Sequence, residues 1–218
     1  MSGYHSRLTL PRFYPILDTD IVAARGLNAV IAAEAILEGG AEILQLRHKT
    51  FFSRNVFVQA SRIAELCAEA RALLVVNDRA DVAMMLGAAV HLGQEDLAPA
   101  DARRVAGPRT PIGFSTHNEQ QLRAAAAEPV DYVALGPIFE TGSKRNPDPV
   151  VGLEELRRLC PLAMQPLVAI GGVTRENAAT AIGAGADSVA VIGDLIPDHC
   201  SKNSLRLRTE EWRQLLKR

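Results

Sequence analysis

The chain is short of cysteine, of net charge and of long apolar runs, and each shortage removes a class of protein. Its three cysteines, Cys67, Cys160 and Cys200, are odd in number and lack CxxC spacing. That argues against a disulfide framework or a cysteine-built zinc site and for a reducing compartment, with the thiols buried or incidental. A net charge of −1 over 218 residues gives no global attraction to nucleic acid or to an anionic membrane, so any affinity for phosphate has to be local. No stretch approaches the ~20 apolar residues of a membrane span, and Met1 to Leu10 contains no apolar core run. The expectation is a cytoplasmic enzyme acting on small molecules, with no nucleic-acid or membrane partner. No Ser/His/Asp arrangement and no His pair at metal-ligand spacing stands out either.

What is present is an alternation of short apolar runs with helical segments, the pattern of parallel βα units. Eight runs are legible: Phe13–Asp18, Ala41–Arg47, Leu73–Asn77, Ala89–Leu92, Pro111–Ser115, Tyr132–Gly136, Leu167–Gly171 and Ser188–Ile192. Most are apolar at both parities, as when one strand face fills a barrel and the other is covered by helices. Between them, Leu27, Val30, Ile31 and Ala35 share a helical face that Gly39-Gly40 ends. Ser53 is placed to cap a helix whose inward stripe is Val56, Ala60, Ile63 and Cys67. Asn118 with Gln121 resembles a capping box, Thr174 is a candidate cap for a helix ending near Gly183 or Gly185, and the last helix is expected at Glu210–Lys217, after an irregular Pro197–Asn203 stretch. With 48 % hydrophobic residues, one core is feasible and two domains would be cramped. The expectation is a single α/β domain over residues 1–218, a (β/α)8 TIM barrel at the short end of that fold's range. Periodicity alone also permits a doubly wound sheet. Polar residues tilt the choice, because they gather at the C-terminal ends of the runs, where a barrel's active site sits: Asp18, then Arg47 and Lys49, Asn77 and Asp78, Ser115 and His117.

Gln45, Arg47 and Lys49 share one parity as the second run ends, so three polar side chains point one way. A guanidinium fork beside an ammonium suits a multiply charged anion such as pyrophosphate, and it equally suits a rim of salt bridges. Asp78 ends the third run and Asp96 follows the fourth, so adjacent loops bring two carboxylates to one mouth. Such a pair suits Mg²⁺, which takes one or two carboxylates plus phosphates and waters. Glu95 and Asp81 read as solvated or capping groups, and an Asp78–Arg79 pair is the plainer alternative. The Gly136–Lys144 segment can close over an anionic ligand or simply be a surface lid. Gly171-Gly172 and Ile192-Gly193 end the last two runs where barrels often bind phosphate through backbone N–H groups, although glycine also serves as ordinary turn material. Of the histidines near the mouth, His48, His91 and His117, His91 lies inside an apolar strand and reads as an interior group orienting polar neighbours.

Six segments in order, Gln45–Lys49, Val76–Asp81, Val90–Leu97, Gly113–Asn118, Asp131–Lys144 and Val168–Val173, resemble the thiamine-phosphate synthase (thiamine-phosphate pyrophosphorylase) family, and the resemblance runs from Tyr14 to about Gly193. It implies a Mg²⁺-dependent transferase. Such an enzyme condenses 4-amino-2-methyl-5-(diphosphooxymethyl)pyrimidine with a thiazole phosphate, giving thiamine phosphate and pyrophosphate. By the same resemblance, Gln45, Leu46, Arg47, His48, Lys49, Asn77, Ser115 and Lys144 hold the pyrimidine pyrophosphate. Thr141, Gly142, Ser143, Gly171, Gly172, Ile192 and Gly193 hold the thiazole phosphate, and Asp78 and Asp96 bind Mg²⁺. Arg47, Lys49, Ser115 and Lys144 are the implied catalytic set, and a homo-oligomer is compatible with all of this.

Three positions depart from the family pattern. His48 replaces a commonly acidic residue, Ser143 replaces a common threonine, and Gly193-Asp194 replaces a serine-containing ending and sets a carboxylate near the phosphate. The implied chemistry needs no protein nucleophile, because the pyrimidine's amino group stabilises a cationic methylene and the thiazole nitrogen attacks it. The protein's tasks are to stabilise departing pyrophosphate and to exclude water, the latter with the 141–149 loop. Two alternatives stand beside this reading. One is a thiazole tautomerase using His117 as proton shuttle; the other is a non-catalytic barrel that binds a phosphorylated ligand.

Overall fold

A computed structural model describes residues 8–141 and 148–217. Eight parallel strands close into a barrel in chain order: β1 Phe13–Asp18, β2 Ile43–Arg47, β3 Leu73–Asn77, β4 Ala89–Leu92, β5 Ile112–Thr116, β6 Tyr132–Leu135, β7 Leu167–Ile170 and β8 Ser188–Val191. β8 pairs with β1, Val189 beside Phe13, so no strand edge is left open. The alternation of strand side chains sorts the apolar residues into two layers. Tyr14, Ile16, Ile43, Val75, Tyr132 and Val168 fill the barrel interior. Leu17, Leu44, Leu46, Val76, Leu92 and Val133 face outward and pack under the helices. The expected strands agree with these to within one or two residues.

The helices are α1 Thr19–Ala24, α2 Ala29–Glu38, α3 Arg54–Ala70, α4 Ala80–Leu86, α5 Pro99–Ala106, α6 Glu119–Ala125, α7 Leu153–Leu159, α8 Ala178–Gly183 and α9 Lys202–Leu215. Ser53 caps α3 by accepting from the Val56 N–H, and Ala60, Ile63 and Cys67 are buried as the stripe predicts. Asn118 caps α6, but Gln121 reaches back one residue further than a capping box requires, accepting from the His117 N–H at 2.7 Å. That bond ties down the backbone beside a mouth histidine.

Three local expectations are corrected. α9 begins at Lys202 rather than Glu210, because Ser201 and Ser204 form a reciprocal capping box, and its inward residues Leu205, Thr209 and Trp212 recur at helical spacing through charged neighbours. Thr174 caps nothing; its N–H donates to Asn177 Oδ1 in a turn before α8. The buried residues of α2 are Ala32, Ala33, Ala35, Ile36 and Leu37, so the expected Ala35 is buried while Ile31 is 42 % exposed. Small residues win that face because α2 is packed by both α3 and α9. Gly39 serves the same close packing, since a Cβ there would lie 2.5 Å from Thr209 Cβ. Trp212 is fully buried and stacks on Phe13 with ring centroids 5.5 Å apart. Truncating such a side chain typically costs about 3–5 kcal/mol.

Candidate active site

The C-terminal ends of the strands surround a cavity of about 320 Å³. β2 sends Gln45, Arg47 and Lys49 into it, the three residues of shared parity. The period of two turns Leu46 and His48 the other way. Leu46 is buried in the layer under the helices. The His48 ring meets Thr19 Oγ1 at 2.8 Å and the edge of Phe52. Neither lines the cavity, so their placement offers no side-chain contact to a ligand inside it. Arg47 is also ion-paired with Asp18, which is 3 % exposed and caps α1 through the Asp20 and Ile21 N–H groups. Arg47 and Lys49 thus form rim salt bridges and also line the cavity.

β3 and β4 bring the carboxylates together. Asp78 has a left-handed φ of 66°, held by its N–H donating to the His91 carbonyl at 2.8 Å. Burial pushes its carboxyl upward; the Lys49 ammonium opposes this, and neighbouring Asp96 adds to it. Asp96 is fixed by the Gly93 N–H, 2.7 Å from Oδ2. Arg79 pairs with Asp81 rather than Asp78, and Glu95 is exposed and outside the cavity lining. Asn77 lines the cavity with a buried Nδ2 that has no partner among the described residues. No cluster of three or more His, Cys, Asp or Glu suited to a metal occurs among the described residues; Asp78 and Asp96 face each other as two carboxylates on the cavity wall.

Below these groups a polar chain crosses the barrel interior. Gln45 Nε2 donates to Tyr14 Oη at 2.9 Å, Tyr14 and Tyr132 share a 2.7 Å hydroxyl contact, and Tyr132 Oη lies 3.0 Å from His91 Nδ1. His91 Nε2 lies 2.9 Å from Ser115 Oγ. Burial pushes both phenols above their ordinary range, so they stay protonated. A Cβ on Gly113 would sit 2.0 Å from the Tyr132 ring, so that glycine exists to admit the tyrosine–histidine pair. His91 is the interior histidine expected from its strand. The two tyrosines were not singled out, although their inward parity opposite a strand glycine was a usable signal.

The β6–β8 side is built differently. The loop after β6 runs against β7, with the Ile138 and Phe139 N–H groups donating to the Ile170 and Gly171 carbonyls. Gly171 and Gly172 have φ of 93° and 65°, and a Cβ on either would strike Pro137 or the Glu140 carbonyl at 2.5 or 2.3 Å. Thr141, Gly171, Gly172, Ile192 and Gly193 line the cavity; Gly142, Ser143 and Lys144 lie outside the described residues. Asp194 does line the cavity, but its carboxylate is matched by Arg175 Nε at 3.0 Å. Arg175 is itself held by Glu211. His117 Nδ1 donates to the Gly136 carbonyl at 2.6 Å.

The three cysteines are free, and no helix among the described residues is long and apolar enough to cross a membrane. The family described as "Thiamine monophosphate synthase" matches residues 13–195. The chain is 46 % identical to the thiamine-phosphate synthase of Koribacter versatilis over 97 % of its length and 98 % of the relative's. It is 44 % identical to that of Methanoculleus marisnigri, covering 82 % of this chain and 85 % of the relative. The solved thiamine phosphate pyrophosphorylase of Pyrococcus furiosus superposes with a TM-score of 0.82 at 31 % identity, over 94 % of this chain and 95 % of the other.

Proposed function

The chain belongs to the thiamine monophosphate synthase family, and from that premise we propose that its cavity joins the pyrimidine pyrophosphate to the thiazole phosphate to give thiamine phosphate. The observation that carries the proposal is the meeting of Asp78, Asp96, Lys49 and Arg47 in the same cavity as the glycine-lined ends of β7 and β8. One side suits a polyanionic leaving group, and the other has the open backbone that a phosphate monoester needs.

In the reaction the bond from the exocyclic methylene to the pyrophosphate oxygen breaks, its electron pair leaving with pyrophosphate, and the thiazole nitrogen's lone pair forms the new C–N bond. Arg47, held in place by Asp18, and Lys49 bind the leaving group through charge-assisted hydrogen bonds. The Asn77 Nδ2, which has no partner among the described residues, supplies a further donor. Gln45 and Ser115 face the pyrimidine ring, and Thr141 with the Gly171, Gly172 and Gly193 backbone faces the thiazole phosphate. By resemblance to the family, Gly142 and Ser143 are assigned to the thiazole phosphate and Lys144 to the pyrimidine pyrophosphate. Asp78 and Asp96 would hold Mg²⁺, which supplies positive charge against the developing pyrophosphate when bound. Two neighbouring carboxylates, that of Asp78 raised first by burial and further by Asp96 against Lys49, fit such a cation. Exclusion of water is assigned to the 141–149 loop by resemblance to the family; its residues 142–147 lie outside the described residues. A cytoplasmic setting accords with three cysteines that form no disulfide. An isomerase centred on His117 would leave the Asp78–Asp96 pair without a task.

The test is to mix the purified chain with both substrates and Mg²⁺ and quantify the products. Thiamine phosphate and pyrophosphate in equal amounts are expected. Binding of both substrates without pyrophosphate release would overturn the proposal in favour of a ligand-binding barrel.

A further inference from the structure

The interior chain from Gln45 to Ser115 has a direction, set by the end of the Gln45 amide that faces Tyr14. A Gln45 amide that donates through Nε2 to Tyr14 Oη obliges the Tyr14 proton to point at Tyr132. Tyr132 then turns its own proton to His91 Nδ1, which must be unprotonated to accept it. The His91 proton therefore sits on Nε2 and is donated to Ser115 Oγ. Two ends remain for the cavity: the Gln45 carbonyl oxygen, an acceptor, and the Ser115 hydroxyl proton, a donor. Both residues line the cavity, on β2 and β5, across the barrel from each other.

We propose that Tyr14, Tyr132 and His91 are positioning residues that couple Gln45 to Ser115, so that the site reads an amino donor and a ring-nitrogen acceptor as one pattern. This rests on the reading above that an aminopyrimidine ring enters between Gln45 and Ser115. An aminopyrimidine carries the complementary pair, N–H₂ beside an aromatic nitrogen. A 4-oxopyrimidine carries the reverse, a carbonyl beside a ring N–H. It fits only if the Gln45 amide turns over and every proton along the chain moves to the other side of its bond, including a switch of the His91 tautomer. Breaking the chain removes that coupling, because Gln45 and Ser115 can then reorient one at a time. Gly113 belongs to the same device, since any side chain there would displace Tyr132 from His91.

The experiment uses ¹⁵N-histidine labelling of the whole chain, with His91→Asn identifying the His91 signals. Tyr14→Phe and Tyr132→Phe serve as chain-breaking variants, and equal thermal midpoints check that they fold. The free protein is expected to show His91 as a single Nε2–H tautomer, and Tyr132→Phe as a mixture of the two. The preference for 4-amino-5-hydroxymethyl-2-methylpyrimidine over its 4-oxo counterpart, read as a ratio of Kd values, should fall about 10-fold in either variant, the size expected for one uncoupled hydrogen bond. A dominant Nδ1–H tautomer or a doubly protonated ring in the wild-type chain would overturn the proposal. So would a tautomer and a Kd ratio unchanged in both Phe variants. The tautomer is read without substrate, so failure of the condensation assay and failure of this inference register separately.

Discussion

Among the described residues, the half of the mouth built by β2 to β5 presents paired charged and polar side chains, and the half built by β6 to β8 presents glycine backbone beside Thr141. On the first, Arg47, Lys49, Asp78, Asp96 and Ser115 project from strand ends, and each is fixed by a partner: Asp18, Asp78, Lys49, the Gly93 N–H and His91 respectively. On the second, Gly171 and Gly172 contribute no side chain, and their conformation is locked by the 137–140 segment lying where a Cβ would be. On the proposed reading, the contrast teaches that a leaving group gathering charge during reaction is met by charged side chains. On the same reading, a phosphate that only needs holding is met by peptide N–H groups. The halves should therefore break in different ways, the first by neutralising a side chain and the second by adding one.

The largest effect is expected on the side-chain half. Asp78→Asn and Asp96→Asn should each lower kcat about 10²-fold, the scale of losing one electrostatic stabiliser, with partial rescue at high Mg²⁺ and little change in thiazole KM. Asparagine is the fitting replacement at position 78 because it tolerates φ of 66°. Steady-state kinetics over a Mg²⁺ series would show this, and unchanged turnover in both variants would remove the metal assignment.

On the backbone half, Gly172→Ala should cost about 1–3 kcal/mol of stability from its left-handed strain. The clash with Glu140 and Phe139 should also raise the thiazole phosphate KM roughly 10-fold, through loss of about one charge-assisted hydrogen bond. Gly87→Ala is the control, with a similar φ of 64° and nothing within 4 Å. It should lose stability with no change in either KM. Equal kinetics for the two variants would mean that the glycines serve the turn alone.

The smallest effect concerns metal-free stability. Burial and Asp96 raise the Asp78 carboxyl above its unfolded value despite Lys49. The stabilising contribution of this group is thus complete below the unfolded pKa and lost as pH rises through the folded one. At neutral pH in chelator, Asp78→Asn should therefore melt slightly higher than wild type, since Lys49, 43 % exposed, loses little with its partner. A clear drop in the melting temperature would mean that the Lys49 pair outweighs the repulsion.

The side-chain half was the more legible in the sequence, for a geometric reason. Strand parity alone puts Gln45, Arg47 and Lys49 on one face and Leu46 and His48 on the other, and consecutive βα units must place Asp78 near Asp96. Partners were not legible, because pairing depends on distances across the barrel. Asp18 with Arg47 and Arg79 with Asp81 are examples, and the tyrosines of the interior chain join residues 118 apart in sequence. Local rules failed where tertiary packing chose otherwise. Ile31 of α2 was left exposed, and α9 started two turns early on a serine pair hidden in an irregular stretch.

The division of labour is tested most directly by calorimetric titration of inorganic pyrophosphate with Mg²⁺, and separately of thiazole phosphate, into wild type and the Asp78→Asn/Asp96→Asn double variant. The account predicts that pyrophosphate affinity falls at least about 10-fold, the scale set by losing a charge-assisted contact, while thiazole phosphate affinity is retained. Equal losses for both ligands, or none for pyrophosphate, would contradict it.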